Sequence, residues 1–461
     1  MEKVPQLSSI VSSVLPFIVI LLVLVVVHEL GHFLTAKAFG IKVLEFGFGY
    51  PPRIWAIKRG DTEYSINILP LGGFVRLLGE EDPGDPHSLA AQAAWKRLIV
   101  MAAGSYMNFV LAILMFSIAL MIPRVLPAGR PQIVQVVPGS PAAQAGLLPG
   151  DIIYSVNGRT IESVPDASYN IRLHQGETLD IVVKRTDPQT GGASLVTVHP
   201  KARWAPPSYV YEVLPGDTVD SVAAATTFDR ASVRLAAGIS TEVTTGTALA
   251  LEARGEVIQY TAEKGDTVET IARRFGVSEE AVASAAGLPD PSKLEAGRVL
   301  RFTQGATGIR IASQYDFTET RSLGPWSALK EGFRQTLDSL KLARNAVISW
   351  VKGGESPGFS GPIGIAQTTG EVVKEVGWKS LTDLAALLSI NLAILNILPL
   401  PMLDGGRIAF VLIEVLRRGK RVAPAKEALV HLVGMAALLV LVVVLSYFDV
   451  LRIIRGESLF R

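Results

Sequence analysis

The feature that most constrains this chain is a cluster of ionisable residues inside a run that is otherwise apolar. Residues 10–36 are apolar enough to cross a hydrocarbon core, which is about 30 Å thick and takes roughly 20 helical residues. Yet the second half of the run carries His28-Glu29-Leu30-Gly31-His32. Ionisable side chains in such a run are costly and mark a functional site by default. Positions i and i+4 share one face of a helix, so His28 and His32 can each turn an imidazole nitrogen towards one ion, with Glu29 placed to reach its bound water. The chain has no cysteine, which removes disulfides, iron–sulfur clusters and thiolate ligands. A metal here must be held by His, Asp or Glu; the alternative is a pair of core histidines.

The rest of the chain is apolar too. Of its 461 residues 49% are hydrophobic, more than an ordinary soluble protein carries, so a polytopic membrane protein is expected. Apolar runs at 10–36, 98–122, 384–403 and 428–448 predict four transmembrane helices, within segments 1–40, 95–123, 382–406 and 427–448. The first is read as a retained span and not a secretory signal, because Glu2 and Lys3 make a poor basic leader and no A-x-A site follows. Basic residues cluster between spans one and two (Lys37, Lys42, Arg53, Lys58, Arg59, Arg76, Lys96, Arg97) and after span three (Arg407, Arg417, Arg418, Lys420, Arg421, Lys426). Both loops are therefore expected in the cytoplasm, with the N-terminus, residues 123–383 and the C-terminus facing outward. With 44 basic against 42 acidic residues, nothing in the balance points to nucleic acid.

Between the spans the sequence period changes. Residues 41–80 alternate and carry turn glycines, predicting a small β-hairpin sheet at the cytoplasmic membrane face. Residues 131–204 read as short strands of a compact α/β module, and a further strand near 305–314 follows an insertion. The insertion holds a repeat: P-G-D-T-V at 215–219 recurs as K-G-D-T-V at 264–268, and T-G-T-A-L-A-L at 245–251 as A-G-R-V-L-R-F at 296–302. The copies are placed at 209–251 and 258–302. Residues 326–353 predict an amphipathic helix with Leu329, Phe333, Leu337, Leu340 and Ala343 on one side, lying against the membrane or the spans. Residues 353–370, rich in Gly, Ser and Pro, predict a loop. The expected fold is a mainly α membrane protein with four transmembrane helices, a small membrane-associated β-sheet and extracytoplasmic α/β modules.

A catalytic zinc takes three protein ligands and keeps one position open. At the end of span three, beyond two prolines that break the helix, stands Asp404, at a depth similar to that of the histidines. It is the expected third ligand, the alternative being an interfacial helix cap. Zn2+ lowers the pKa of its water to about 7, and Glu29 would accept and relay the proton.

His-Glu-Leu-Gly-His at 28–32, with N-x-x-P-x-P-x-L-D-G-G at 396–406, resembles the site-2 protease family of intramembrane zinc metalloproteases, in its bacterial branch similar to the regulator of sigma-E protease. G-G-F-V at 72–75, the Gly104/Asn108 pair and F-S-G-P-I-G at 359–364 agree with it. The resemblance implies zinc on His28, His32 and Asp404, Glu29 as general base, and Asn396 holding or polarising the substrate backbone. Asn108 would lie near the active site, or else make only a helix contact with Gly104. Gly72, Gly73 and Phe74 would belong to a hairpin that pairs with an unwound substrate as an added strand, or form a plain turn. Substrates would be single-span membrane proteins, cut inside the lipid bilayer of a bacterial cytoplasmic (inner) membrane near its cytoplasmic face. Regulated proteolysis of an anti-sigma factor or of a leftover signal peptide is the implied biology.

The module at 131–204, with about 305–314, resembles a PDZ domain through P-G-S-P-A-A-Q-A-G-L-L-P-G-D-I-I-Y-S-V-N-G. In that family such domains limit access of substrates with bulky outer domains; the alternative is capture of a peptide C-terminus. Residues 258–302 resemble a LysM domain, which binds N-acetylglucosamine glycans, and 209–251 its degenerate partner. Contact with peptidoglycan would fall near Gly265, Asp266, Thr267, Gly287, Leu288 and Pro289, unless the insertion is only a spacer. The rival function is a non-catalytic envelope sensor that binds glycan through LysM and peptide through PDZ around a structural metal. Glu29 argues against it, since a structural site needs no base and usually has four protein ligands.

Overall fold

The computed structural model describes residues 7–454 except 81, 188–189, 227, 229, 240, 242, 244–246, 254–255, 263–266, 276, 289, 295–298, 304, 314–316, 355–359 and 376. The chain forms two compact units: Met1–Leu126, Glu319–Arg344 and Pro357–Arg461 make the first, Pro127–Thr318 and Asn345–Ser356 the second.

Four helices of the first unit are, among the described residues, long and apolar enough to cross a membrane: Val14–Ala38, Ala94–Met121, Trp378–Ile397 and Ala425–Ile454. The second packs between the first and the third, with Leu111 against Ile20 and Leu24, and Ala112 and Phe116 against Ala386 and Ile390. Helices one and two meet at Gly31, where a methyl group would lie 2.3 Å from the Ala103 carbonyl oxygen. The amphipathic helix Pro325–Val351 rests on helix two at Gly332, where a methyl group would lie 2.4 Å from Ser117 Oγ. Strands Val43–Arg59 and Thr62–Leu77 form the expected hairpin. Phe46 sets it on the first helix, its ring 5.3 Å from that of Phe33.

Two expectations for this unit need correction. The third span does not run on to 403 or 406: its helix, Leu381–Ile397, stops before Pro399 and Pro401, and Asp404 opens a separate helix, Asp404–Leu416. Proline lacks the N–H and its ring clashes with the preceding turn, so residues 398–403 form a turn. Gly405 and Gly406 let the new helix start against the carbonyls of Leu398 and Leu400, where methyl groups would lie at 2.0 and 2.4 Å. The loop expected at 353–370 is also shorter, because a helix begins at Pro362 and runs to Glu375. Its start is held by Asp449 of the fourth apolar helix, whose Oδ2 accepts the Gly364 N–H at 2.8 Å. Local composition carries no trace of a cap from so distant a residue.

In the second unit the main sheet runs in the order Ile309–Ser313, Pro131–Val136, Ile152–Val156, Ile181–Thr186, Ala193–Val198. The strand after the insertion thus pairs with the strand that opens the module. Helix Val164–Leu173 covers a core built from Ile133, Ile153, Ile161, Leu179, Ile181 and Val183.

Within the insertion the copies at 209–251 and 258–302 are not the packing units. Ser208–Glu212 pairs with Val299–Thr303, and Ala248–Ala253 with Glu256–Thr261, so the two copies exchange their closing strands. One core gathers Val213, Val219, Val222, Val233 and Leu294; the other gathers Leu249, Leu251, Val268, Ile271 and Val282. Only Arg254 and Gly255 separate Ala253 from Glu256. A two-residue connection favours a hairpin between successive strands over pairing of each opening strand across its own helices. The cysteine-free chain makes this testable by cross-linking. Cysteines at Tyr211 and Leu300, which face each other in the ladder, should form a disulfide on mild oxidation, whereas cysteines at Tyr211 and Leu249 should not; the reverse would restore the copies as separate folds.

Candidate metal centre

His28 and His32 stand one turn apart on the first apolar helix with their Nε2 atoms 3.2 Å apart. Asp404, in the first turn of its own helix, brings Oδ2 to 3.0 Å from His28 Nε2 and 3.2 Å from His32 Nε2. The side chains are only 8%, 12% and 19% exposed. Zinc held tetrahedrally by nitrogen and oxygen at about 2.0–2.1 Å sets its ligand atoms about 3.3 Å apart, so this triangle matches one face of the tetrahedron. Asp404 Oδ2 is buried and accepts no hydrogen bond among the described residues. Such an orphaned acceptor, pressed against two imidazole nitrogens, fits a cation.

The histidine orientations are set from behind. His32 Nδ1 lies 2.7 Å from the Val100 carbonyl oxygen; donating there fixes the tautomer and leaves Nε2 with a lone pair facing Asp404. His28 Nδ1 lies 3.4 Å from the side-chain amides of both Asn108 and Asn396. Asn108 is fully buried and its Oδ1 has no partner among the described residues. The two ends of an amide are assigned by their surroundings, and turning this one over would give His28 Nδ1–H its acceptor. Gly104, one turn before Asn108 on helix two, allows the imidazoles their place. A methyl group there would lie 2.5 Å from both His28 Cε1 and His32 Nε2.

Glu29 faces the hairpin. A methyl group on Gly73 would lie 3.8 Å from Glu29 Cγ, and the Val75 backbone N–H donates to the Glu29 carboxylate. Gly72 and Gly73 are buried, Gly73 closely passing the Gly47 carbonyl, while the Phe74 ring covers Gly47 and stacks on Tyr50 at 6.3 Å. The structure therefore brings together His28, Glu29, His32, Asn108, Asn396 and Asp404, with Gly72, Gly73 and Phe74 on the adjoining strand.

Of the six residues singled out for glycan contact, the three described ones serve local structure. Thr267 and Thr270 exchange side-chain to backbone bonds at a helix start, Gly287 takes φ +67 just after helix Glu279–Ala285, and Leu288 packs on a module core. Gly265, Asp266 and Pro289 lie outside the described residues. Sequence reasoning missed the Val100 carbonyl, a backbone group that leaves no side-chain signal. For Gly104 the sequence offered, beside the family pairing with Asn108, only a helix contact, and the structure sets it against both imidazoles.

The model of Peptidase family M50 matches residues 16–441. A Clostridium perfringens protein named as a candidate zinc metalloprotease is 29% identical over 93% of this chain and 95% of its own length. The zinc metalloprotease RasP of Geobacillus kaustophilus is 26% identical over 95% of this chain and 97% of its own, and the regulator of sigma-W protease RasP of Bacillus subtilis 26% identical over 96% and 99%. Because the family match spans from the helix that carries both histidines, past Asp404, into the fourth apolar helix, the chain belongs to peptidase family M50, the zinc metalloproteases of site-2 type.

Proposed function

We propose that His28, His32 and Asp404 hold the zinc of this protease, that Glu29 is its general base, and that it cuts peptide bonds within transmembrane segments of other membrane proteins. The observation that carries this reading is the convergence of three ligand atoms within 4.8 Å of one another, one residue from a carboxylate on the same helix. Zinc bound there supplies Lewis acidity, polarising a carbonyl and acidifying water. Glu29 takes the proton of the attacking water and returns it to the departing amine, so that one C–N bond breaks as one C–O bond forms. Asn396, buried beside His28, has an amide donor for the substrate carbonyl.

A transmembrane helix keeps its peptide groups bonded internally, so the substrate must unwind before attack. The strand bearing Gly72, Gly73 and Phe74 passes next to Glu29 and would receive the unwound segment as an added strand, replacing the lost bonds. The basic residues beside the spans support a centre near the cytoplasmic face, with the 123–383 segment outside. In that segment the sheet formed by 131–198 and 309–313 supports a PDZ module that restricts substrates with bulky outer domains. The name of the Bacillus subtilis relative, a regulator of sigma-W protease, points to a membrane-bound anti-sigma factor as substrate class. Glycan binding forms no part of the proposal, since Thr267 and Leu288 serve local structure.

Glu29→Gln should keep zinc and lose cleavage of a transmembrane substrate in liposomes by about 100-fold or more, the usual share of a general base; undiminished cleavage would refute the assignment. Asp404→Asn should lower zinc stoichiometry measured on purified protein, and an unchanged stoichiometry removes Asp404 from the ligands. For Gly104→Val the expected outcome is loss of zinc with the protein still inserted in the membrane, since the added side chain occupies the space of both imidazoles. Full zinc occupancy in that variant would show that the helices are not packed this way.

A further inference from the structure

Asp404 stands on a turn that needs holding. Met402, two residues earlier, has φ +75, a region in which a side chain is strained and which persists only where the surroundings enforce it. The helix that follows starts without help from its own cap, as Leu403 offers no side-chain hydrogen bond. The turn is instead gripped by the fourth apolar helix. The Met402 N–H donates to His431 Nδ1 at 2.9 Å, and His431 is 9% exposed. Its ring packs on Phe410 of the Asp404 helix, centroids 5.5 Å apart. Close to the next turn Gly434 meets Pro401, where a methyl group would lie 2.1 Å from Pro401 Cβ. Nδ1 accepts only if the ring proton sits on Nε2, and Glu427 Oε1, one turn back, lies 3.9 Å from that atom.

The fourth helix is otherwise the least enclosed of the four, with 6% of its apolar window buried. A polar side chain on such a helix that accepts a backbone N–H two residues from Asp404 is poorly explained by packing alone.

We infer that His431 is a positioning residue for the metal centre: by accepting the Met402 N–H it holds the 398–403 turn so that the Asp404 carboxylate meets His28 and His32. The inference rests on the reading of Asp404 as a zinc ligand. Groups of this outer kind typically change metal affinity or activity by about 10-fold to 100-fold when removed.

The test uses the full-length protein in detergent and liposomes, with zinc affinity measured by competition against a chelator. His431→Phe keeps a ring of similar size and removes the acceptor. It should weaken zinc affinity by about 10-fold or more, and lower kcat on a transmembrane substrate with KM held within about twofold. His431→Asn places its Oδ1 where Nδ1 stood and should restore most of the affinity. Wild-type zinc affinity in the Phe variant, or an Asn variant as weak as Phe, overturns the inference. Should the Phe variant fail to accumulate, Gly434→Ala, which presses the turn at Pro401, should weaken zinc binding likewise, and unchanged affinity there also overturns it. Asp404→Asn, measured in parallel, separates the two claims. If it keeps zinc, the ligand assignment fails, whereas if it loses zinc while His431→Phe does not, only the role of His431 falls.

Discussion

Two imidazole nitrogens and a carboxylate oxygen stand 3.0–3.2 Å apart among apolar helices, close enough for one cation to touch all three. The rest of the first unit depends on it. Ionisable groups placed in an apolar span lose hydration, and bonds to the outer histidine nitrogens offset part of that loss. The neighbouring polar groups are arranged accordingly. Val100 supplies a carbonyl to His32, Asn108 and Asn396 flank His28, and the hairpin backbone reaches Glu29.

Such a centre requires backbones to approach more closely than side chains allow. Gly31 permits the crossing of helices one and two, Gly104 leaves room for both imidazoles, and Gly405 and Gly406 let the Asp404 helix begin against the carbonyls of the preceding turn. Leucine at any of these places would suit the lipid equally well; small residues appear where helices in a membrane must touch. Family membership decides between the two functions open at the outset. A zinc metalloprotease of site-2 type needs the base that a structural metal site would lack, and Glu29 stands next to His28 on the first apolar helix.

The second unit shows how connection length overrides repetition. The two copies of the insertion are similar enough in sequence to expect two independent folds, yet each sheet joins a strand from either copy. The helices still follow the repeat, since amphipathic patterns act locally, whereas each core takes residues from both copies. Which strands pair depends on the chain between them, and a two-residue link leaves little alternative to a hairpin.

Hydrophobic run length and the His-Glu-x-x-His spacing determined by themselves that four helices are long and apolar enough to cross a membrane and that the first turns two histidines to one face, because bilayer thickness and helical period act on contiguous residues. The hairpin at 41–80 and the amphipathic helix were legible for the same reason. Tertiary structure alone decided that Asp404 begins a new helix, that Gly104 lies on the imidazoles, and that Asp449 caps the helix at Pro362. It also decided that His431 grips Met402 and that the repeats exchange strands. Each of these depends on which distant backbone groups come within hydrogen-bonding or van der Waals distance, a property of packing for which local sequence carries no period.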